Sequence, residues 1–194
     1  MLKTLLRSLP HDYAPFFRGL HISIALLIAL QIINSDFIDA DALSESGWPA
    51  LMTWWHALSG ALLLILGLIL LAWMIGQRGI RWYFSWAFVD FRQINADIRQ
   101  LMQFTLPESS RGSIAATVQG LGVAALLLVA ASGSAWFAAE RLLPSLALYS
   151  GLFLHWHKFL TTFIETYFYA HGLMGVAHMF LRNKKQTADL RSVE

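Results

Sequence analysis

Four histidines, His155, His157, His171 and His178, fall within residues 153–182. A neutral imidazole binds metal through either ring nitrogen, and it titrates close to neutrality. The spacing of these residues therefore says what chemistry they can share. His157 and His171 are fourteen residues apart, so on a helix both rings leave nearly the same face, separated by roughly 21 Å along the axis. That is too far for one shared metal ion and suits two sites stacked one above the other. His178 keeps nearly the same face, whereas His155 points almost the opposite way. No nucleophile triad, phosphate loop or metal-spacing motif stands elsewhere in the chain.

The elements that carry these residues are set by the solvent around them. The chain is 57% hydrophobic and 13% charged, and its charges fall in clumps between long apolar runs, where a water-soluble domain would spread them over its surface. The reading is an all-α integral membrane protein. With no cysteine present, cysteine-ligated iron–sulfur clusters, thiolate zinc sites and covalent c-type haem attachment are excluded. A polar head, Met1 to Pro15, carries Lys3 and Arg7 and lacks a small-residue cleavage site, so it is expected to stay in the mature protein.

Four spans are expected, over about 16–34, 50–76, 114–139 and 148–182, each long enough as a helix to cross a hydrocarbon core of roughly 30 Å. The first carries His21 one turn in, just after Arg18, and the second carries His56 beside the boundary tryptophans Trp54 and Trp55. Between them, loop 35–49 holds Asp36, Asp39, Asp41 and Glu45 and no lysine or arginine. Segment 77–113 is its opposite, with Arg78, Arg81, Arg92, Arg99 and Arg111. Its middle, Phe88 to Phe104, places Phe91, Ile94, Ile98, Leu101 and Met102 at helical spacing, as an anchoring helix in the membrane interface would. The third span lacks histidine and is dense in Gly, Ala and Ser, which let backbones or a flat cofactor approach closely. Residues 183–194 form a polar tail expected to fray beyond Lys185.

Lysine and arginine crowd the head, the 77–113 segment and the tail, which places both termini of a four-helix bundle in the cytoplasm by the positive-inside rule. Depth then sorts the histidines. His56 and His157 lie near the outer surface, and His21 and His171 lie toward the cytoplasmic half. Two facing pairs of neutral imidazoles are the usual way to hold low-spin b-type haem, so each pair supplies the axial ligands of one non-covalent haem b. Polar groups inside lipid are costly and tend to be functional. Gly60 and Gly67 lie within about 40° of the direction of His56, leaving room for a porphyrin, and Gly172 and Gly175 do the same in the fourth span. Plain small-residue helix packing explains each glycine equally well.

The set of His21, His56 and Trp156-His157-x-x-Leu160, with His171 fourteen residues on, resembles the prokaryotic cytochrome b561 family over roughly residues 16–182. That family takes in the b-type cytochrome subunits of nickel–iron hydrogenases and thiosulfate-reductase-like enzymes. The long arginine-bearing segment is similar to that branch, although Ser113-Ile114-Ala115-Ala116 stands where the branch has a His-Asn-Pro-Leu-like stretch.

The resemblance implies that His21 and His171 bind an inner haem and His56 and His157 an outer one. It also implies electron transfer between the quinone pool and a redox partner or small oxidant in a bacterial inner membrane. Quinone chemistry moves protons with electrons, which singles out His178, with Arg18 and Arg182 nearby, and Glu165, midway between the ligands but roughly 80° off their face. His155 and Lys158 flank the outer ligand, where propionates or a substrate would lie. Other readings are a haem-bearing anchor subunit of a hydrogenase or molybdenum-type oxidoreductase complex, and a haem-free transporter or sensor. Expected partners are lipid, quinone, a redox protein and a second copy paired through the third helix. The scattered basic residues do not form a nucleic-acid surface.

Overall fold

The computed structural model describes residues 15–38, 43, 46–105, 107 and 109–191, with side chains described as far as Val176. The head with Lys3 and Arg7, and the acidic residues Asp39, Asp41 and Glu45, lie outside the described residues. Among the described residues every element is helical: α1 (Pro15–Ser35), α2 (Trp48–Arg78), the one-turn α3 (Ile80–Tyr83), a 3-10 turn at Ser85–Phe88, α4 (Arg92–Met102), α5 (Ile114–Arg141), a 3-10 segment at Pro144–Tyr149, and α6 (Ser150–Arg191).

Local chemistry explains the ends. Pro49 sits in the first turn of α2, where a missing N–H leaves nothing unpaired. The helix stops at Gly79, whose φ of 77° is open to glycine and whose N–H donates to the Ile75 carbonyl at 2.8 Å. Ser113 caps α5 by accepting from the Ala116 N–H at 3.1 Å. Asp97 of α4 is buried beside it, accepting from the Ile114 N–H at 2.8 Å and from Gln93 Nε2 at 2.8 Å. A carboxylate at a helix start is favoured by the helix dipole, so the interfacial segment is pinned to the entrance of α5.

Among the described residues, α1, α2 and α5 are long and apolar enough to cross a membrane. They are apolar on every side. Leu20, Ile24 and Ile28 of α1, Leu63, Leu70 and Met74 of α2, and Val123, Leu126 and Val129 of α5 form the core. Leu26, Ile33, Leu58, Ile65, Leu68 and Leu128 face outward with half their surface or more exposed. A helix hydrophobic all round belongs in lipid or in a large core, and a chain of 194 residues offers no such core.

Packing leaves an opening that matters. α1 packs on α2, α2 on α5, and α5 along α6, whereas α6 touches α1 sparingly and has no substantial contact with α2. A cleft therefore runs between α6 and the α1–α2 side, and side chains must reach across it.

Two expectations are corrected. The helix expected at the interface spans Arg92–Met102 rather than Phe88–Phe104, because Val89 and Phe104 adopt φ of 58° and 56° and break the helix at each side. The tail expected to fray beyond Lys185 continues α6 as far as Arg191, since no Gly or Pro follows Gly175 and the stretch is rich in helix-forming residues.

Candidate functional site

The histidines of α1, α2 and α6 meet across the cleft in two pairs. The rings of His56 and His157 have centroids 6.1 Å apart at an interplanar angle of 86°, and those of His21 and His171 lie 6.0 Å apart at 72°. Two imidazoles on opposite sides of one metal, each bound at about 2 Å, have ring centres roughly 6 Å apart. Both pairs match that spacing. His56, His157 and His171 are half-buried, and His21 is exposed because α1 and α6 scarcely touch.

At the level of His56 and His157, called outer after the orientation expected from the charge distribution, with His21 and His171 the inner level, each ligand candidate is held by a neighbouring helix. His157 Nδ1 lies 2.9 Å from the Val129 carbonyl of α5. A carbonyl only accepts, so Nδ1 carries the hydrogen and Nε2 keeps the lone pair a metal needs, the usual outer-shell device for a metal-bound histidine. The Ser132 hydroxyl stands 3.4 Å from the same nitrogen. His56 is placed through its backbone: Gln31 of α1 donates from Nε2 to the His56 carbonyl at 3.0 Å and to Ser59 Oγ at 2.9 Å. Below it in α1, Asn34 Nδ2 donates to the Met52 carbonyl at 3.1 Å. Interhelical hydrogen bonds of this kind contribute about 0.6–2 kcal/mol each in a membrane, and together they fix the register of α2 on α1. Among the described residues His56 Nδ1 and Gln31 Oε1 are buried without a hydrogen-bond partner, a state that buried polar atoms rarely keep.

At the inner level stacking replaces hydrogen bonding. Tyr167 stacks on His171 with centroids 5.1 Å apart and planes 11° from parallel, and Phe17 stacks on His21 at 6.1 Å and 14°. The rings are held as planes, one helical turn from each histidine.

Helix α5, which has no histidine, seats both levels. A Cβ on Gly133 would lie 2.8 Å from His157 Cε1, and one on Gly122 would lie 2.1 Å from Tyr167 Cζ. The two glycines are eleven residues apart, close to three turns, so they share a face. Each admits the aromatic ring of α6 that orients its level. Sequence reading found the small-residue density of this helix but missed these two glycines, the Val129 carbonyl and Gln31. The available signal was the Gly122-to-Gly133 spacing set against His157 and Tyr167.

The other expected site residues fall as follows. Glu165 lines the outer cleft together with Gln31, His56, Gly60 and His157. The cleft is broad enough to take in a residue roughly 80° off the histidine face. Arg18 is half-buried on α1, one turn before His21. His155 and Lys158 are exposed on the far side of α6 from its buried face, with the His155 ring against Trp156 at 6.3 Å. The side chains of His178 and Arg182 lie outside the described residues. Gly60 does line the outer cleft. Gly67 instead takes Leu126 and Leu127 of α5 and is a packing glycine, while nothing approaches Gly172 or Gly175.

The residues present thus fit a haem held between two histidines at each level. Comparison with curated proteins and with solved structures gives no match. A family model described as prokaryotic cytochrome b561 matches residues 12–189, a stretch that takes in every histidine of both pairs. With its lipid-facing helices and its facing imidazoles, the chain belongs to the prokaryotic cytochrome b561 family, the membrane b-type cytochromes of electron transfer.

Proposed function

We propose that this protein is a di-haem cytochrome that passes electrons between the quinone pool and a redox partner or small oxidant, as a four-helix bundle in a bacterial inner membrane with both termini cytoplasmic. His56 and His157 hold the outer haem b, and His21 and His171 the inner one. The observation that carries this reading is the pair of crossed imidazole contacts, 6.0 and 6.1 Å between centroids, set fourteen residues apart on α6. Haem iron supplies reversible one-electron exchange when bound.

The chain's own residues do the rest. Val129 and Gln31 orient the outer imidazoles, Tyr167 and Phe17 the inner ones, and the apolar lining of the outer cleft keeps water from His56 and His157. Glu165 lines the outer cleft beside His56 and His157. Arg18, one turn before His21, is the candidate for the charge a quinone headgroup needs, and His178 is the candidate for its proton donor. Haem analysis of the purified membrane protein, with reduced-minus-oxidised spectra, tests the reading. It calls for about two b-type haems per chain, reducible by a quinol analogue. A single haem would favour the anchor-subunit reading, and none would remove the electron carrier altogether.

A further inference from the structure

Away from both histidine levels, the segment joining α2 to α5 folds into a second cavity, lined by Arg81, Arg92 and Arg111 with Asp90, Ser85, Phe88 and Val89. Its arginines come from three places in the sequence: α3, the start of α4, and the approach to α5. Asp90 is already committed, taking both oxygens to Arg92 at 3.0 and 3.1 Å. That bidentate bond holds its carboxyl below the usual range. The Arg81 guanidinium carbon lies over the Phe88 ring, 4.6 Å from its centroid. Among the described residues three guanidinium groups thus face one carboxylate, and the cavity lining has an excess of positive charge.

A second observation points to a ligand. Ser85 is 4% exposed, lines this cavity, and its hydroxyl has no hydrogen-bond partner among the described residues. A buried hydroxyl is rarely left without one. The walls are tied in place by Gly112, whose N–H donates to the Trp82 carbonyl at 3.0 Å, and by Asp97 on Ile114. The rim is apolar. Val89 is 81% exposed at φ 58°, a conformation β-branched residues rarely adopt, and Phe88 and Phe91 are half-exposed beside it.

We propose that this cavity binds the phosphodiester headgroup of an anionic glycerophospholipid, with Arg81, Arg111 and the Ser85 hydroxyl on the phosphate oxygens and the acyl chains leaving over Phe88 and Val89. Guanidinium forks match phosphate geometry, basic pockets beside membrane helices recognise anionic headgroups, and the exposed apolar rim suits a lipid better than a free anion. The inference rests on the membrane reading but not on haem number or ligand pairing.

The haem-loaded full-length protein, stripped of lipid in detergent, is titrated with dioleoyl-phosphatidylglycerol or dioleoyl-phosphatidylcholine and read by native mass spectrometry. The phosphatidylglycerol adduct should be preferred and should weaken as salt rises. R111Q should lower its affinity roughly fivefold, and R81Q with R111Q roughly twenty-five-fold. R99Q, on α4 outside the cavity, should leave it unchanged. Equal binding of the two lipids, or binding indifferent to R111Q, overturns the proposal. So does inorganic phosphate binding with R111Q-sensitivity where phosphatidylglycerol does not bind. Salt dependence in the unmodified chain decides the matter if the double variant fails to accumulate.

Discussion

The outer and inner histidine pairs have the same spacing and opposite means of support. At the outer level a backbone carbonyl of α5 accepts from His157 Nδ1 at 2.9 Å, and an interhelical amide fixes the turn that carries His56. At the inner level Tyr167 and Phe17 lie parallel to their histidines. A hydrogen bond decides which ring nitrogen is free as well as where the ring points. Stacking decides the plane alone. The outer level is therefore the more rigidly specified of the two, and the inner level has more freedom to rotate a ring within its plane.

The largest effects separate the levels outright. His157→Ala should halve the haem-to-chain ratio and leave the inner spectrum intact, and His171→Ala should do the reverse, both measured by pyridine haemochromogen assay and low-temperature difference spectra. If either substitution removed both haems, or if the two removed the same band, the pairing itself would be wrong. A smaller effect comes from the seats on α5. A methyl group on Gly122 meets the Tyr167 ring at 2.1 Å, whereas one on Gly133 meets His157 at 2.8 Å. Gly122→Ala must displace the aromatic ring, and overpacking of this kind costs about 1–3 kcal/mol. The inner absorption band should shift and the melting temperature should fall, with the outer band unmoved. Gly133→Ala should disturb only the outer band, and less severely. Equal response of both bands to Gly122→Ala would mean that the levels are coupled through α5 rather than seated separately.

How much of this was legible beforehand follows from where the information lies. The long helices stand in the apolar runs, since every backbone polar group in lipid has to be satisfied within its own segment. The four paired histidines follow from a fourteen-residue spacing on one helix and from alternating span direction. What was not legible depends on how α5 is rotated against α6. Gly122, Gly133 and the Val129 carbonyl carry meaning only once that rotation is known, and a backbone carbonyl has no signature in sequence at all. Gln31 is one polar residue in an apolar run, and its partners lie 25 and 28 residues away. Glu165 was judged by its angle on an isolated helix, and a broad cleft made that angle less decisive. The arginine cavity stayed hidden for a related reason: its residues are thirty positions apart, and Val89 ended the expected helix where the chain turns back.

The finest test concerns which group at the outer level does the orienting. The Ser132 hydroxyl donates to the Val129 carbonyl at 2.9 Å, the same oxygen that accepts from His157 Nδ1 at 2.9 Å, and it stands 3.4 Å from that nitrogen. A carbonyl oxygen has two lone pairs, so the two bonds coexist, and the hydroxyl is a companion to the interaction rather than its source. Ser132→Ala should therefore lower stability by only about 0.5–1.5 kcal/mol and shift the outer band slightly, with haem content unchanged in the same assay. Loss of the outer haem on removing this one hydroxyl would transfer the orienting role from backbone to side chain. The outer level would then be no more firmly built than the inner, and the contrast between them would have to rest on Gln31 alone.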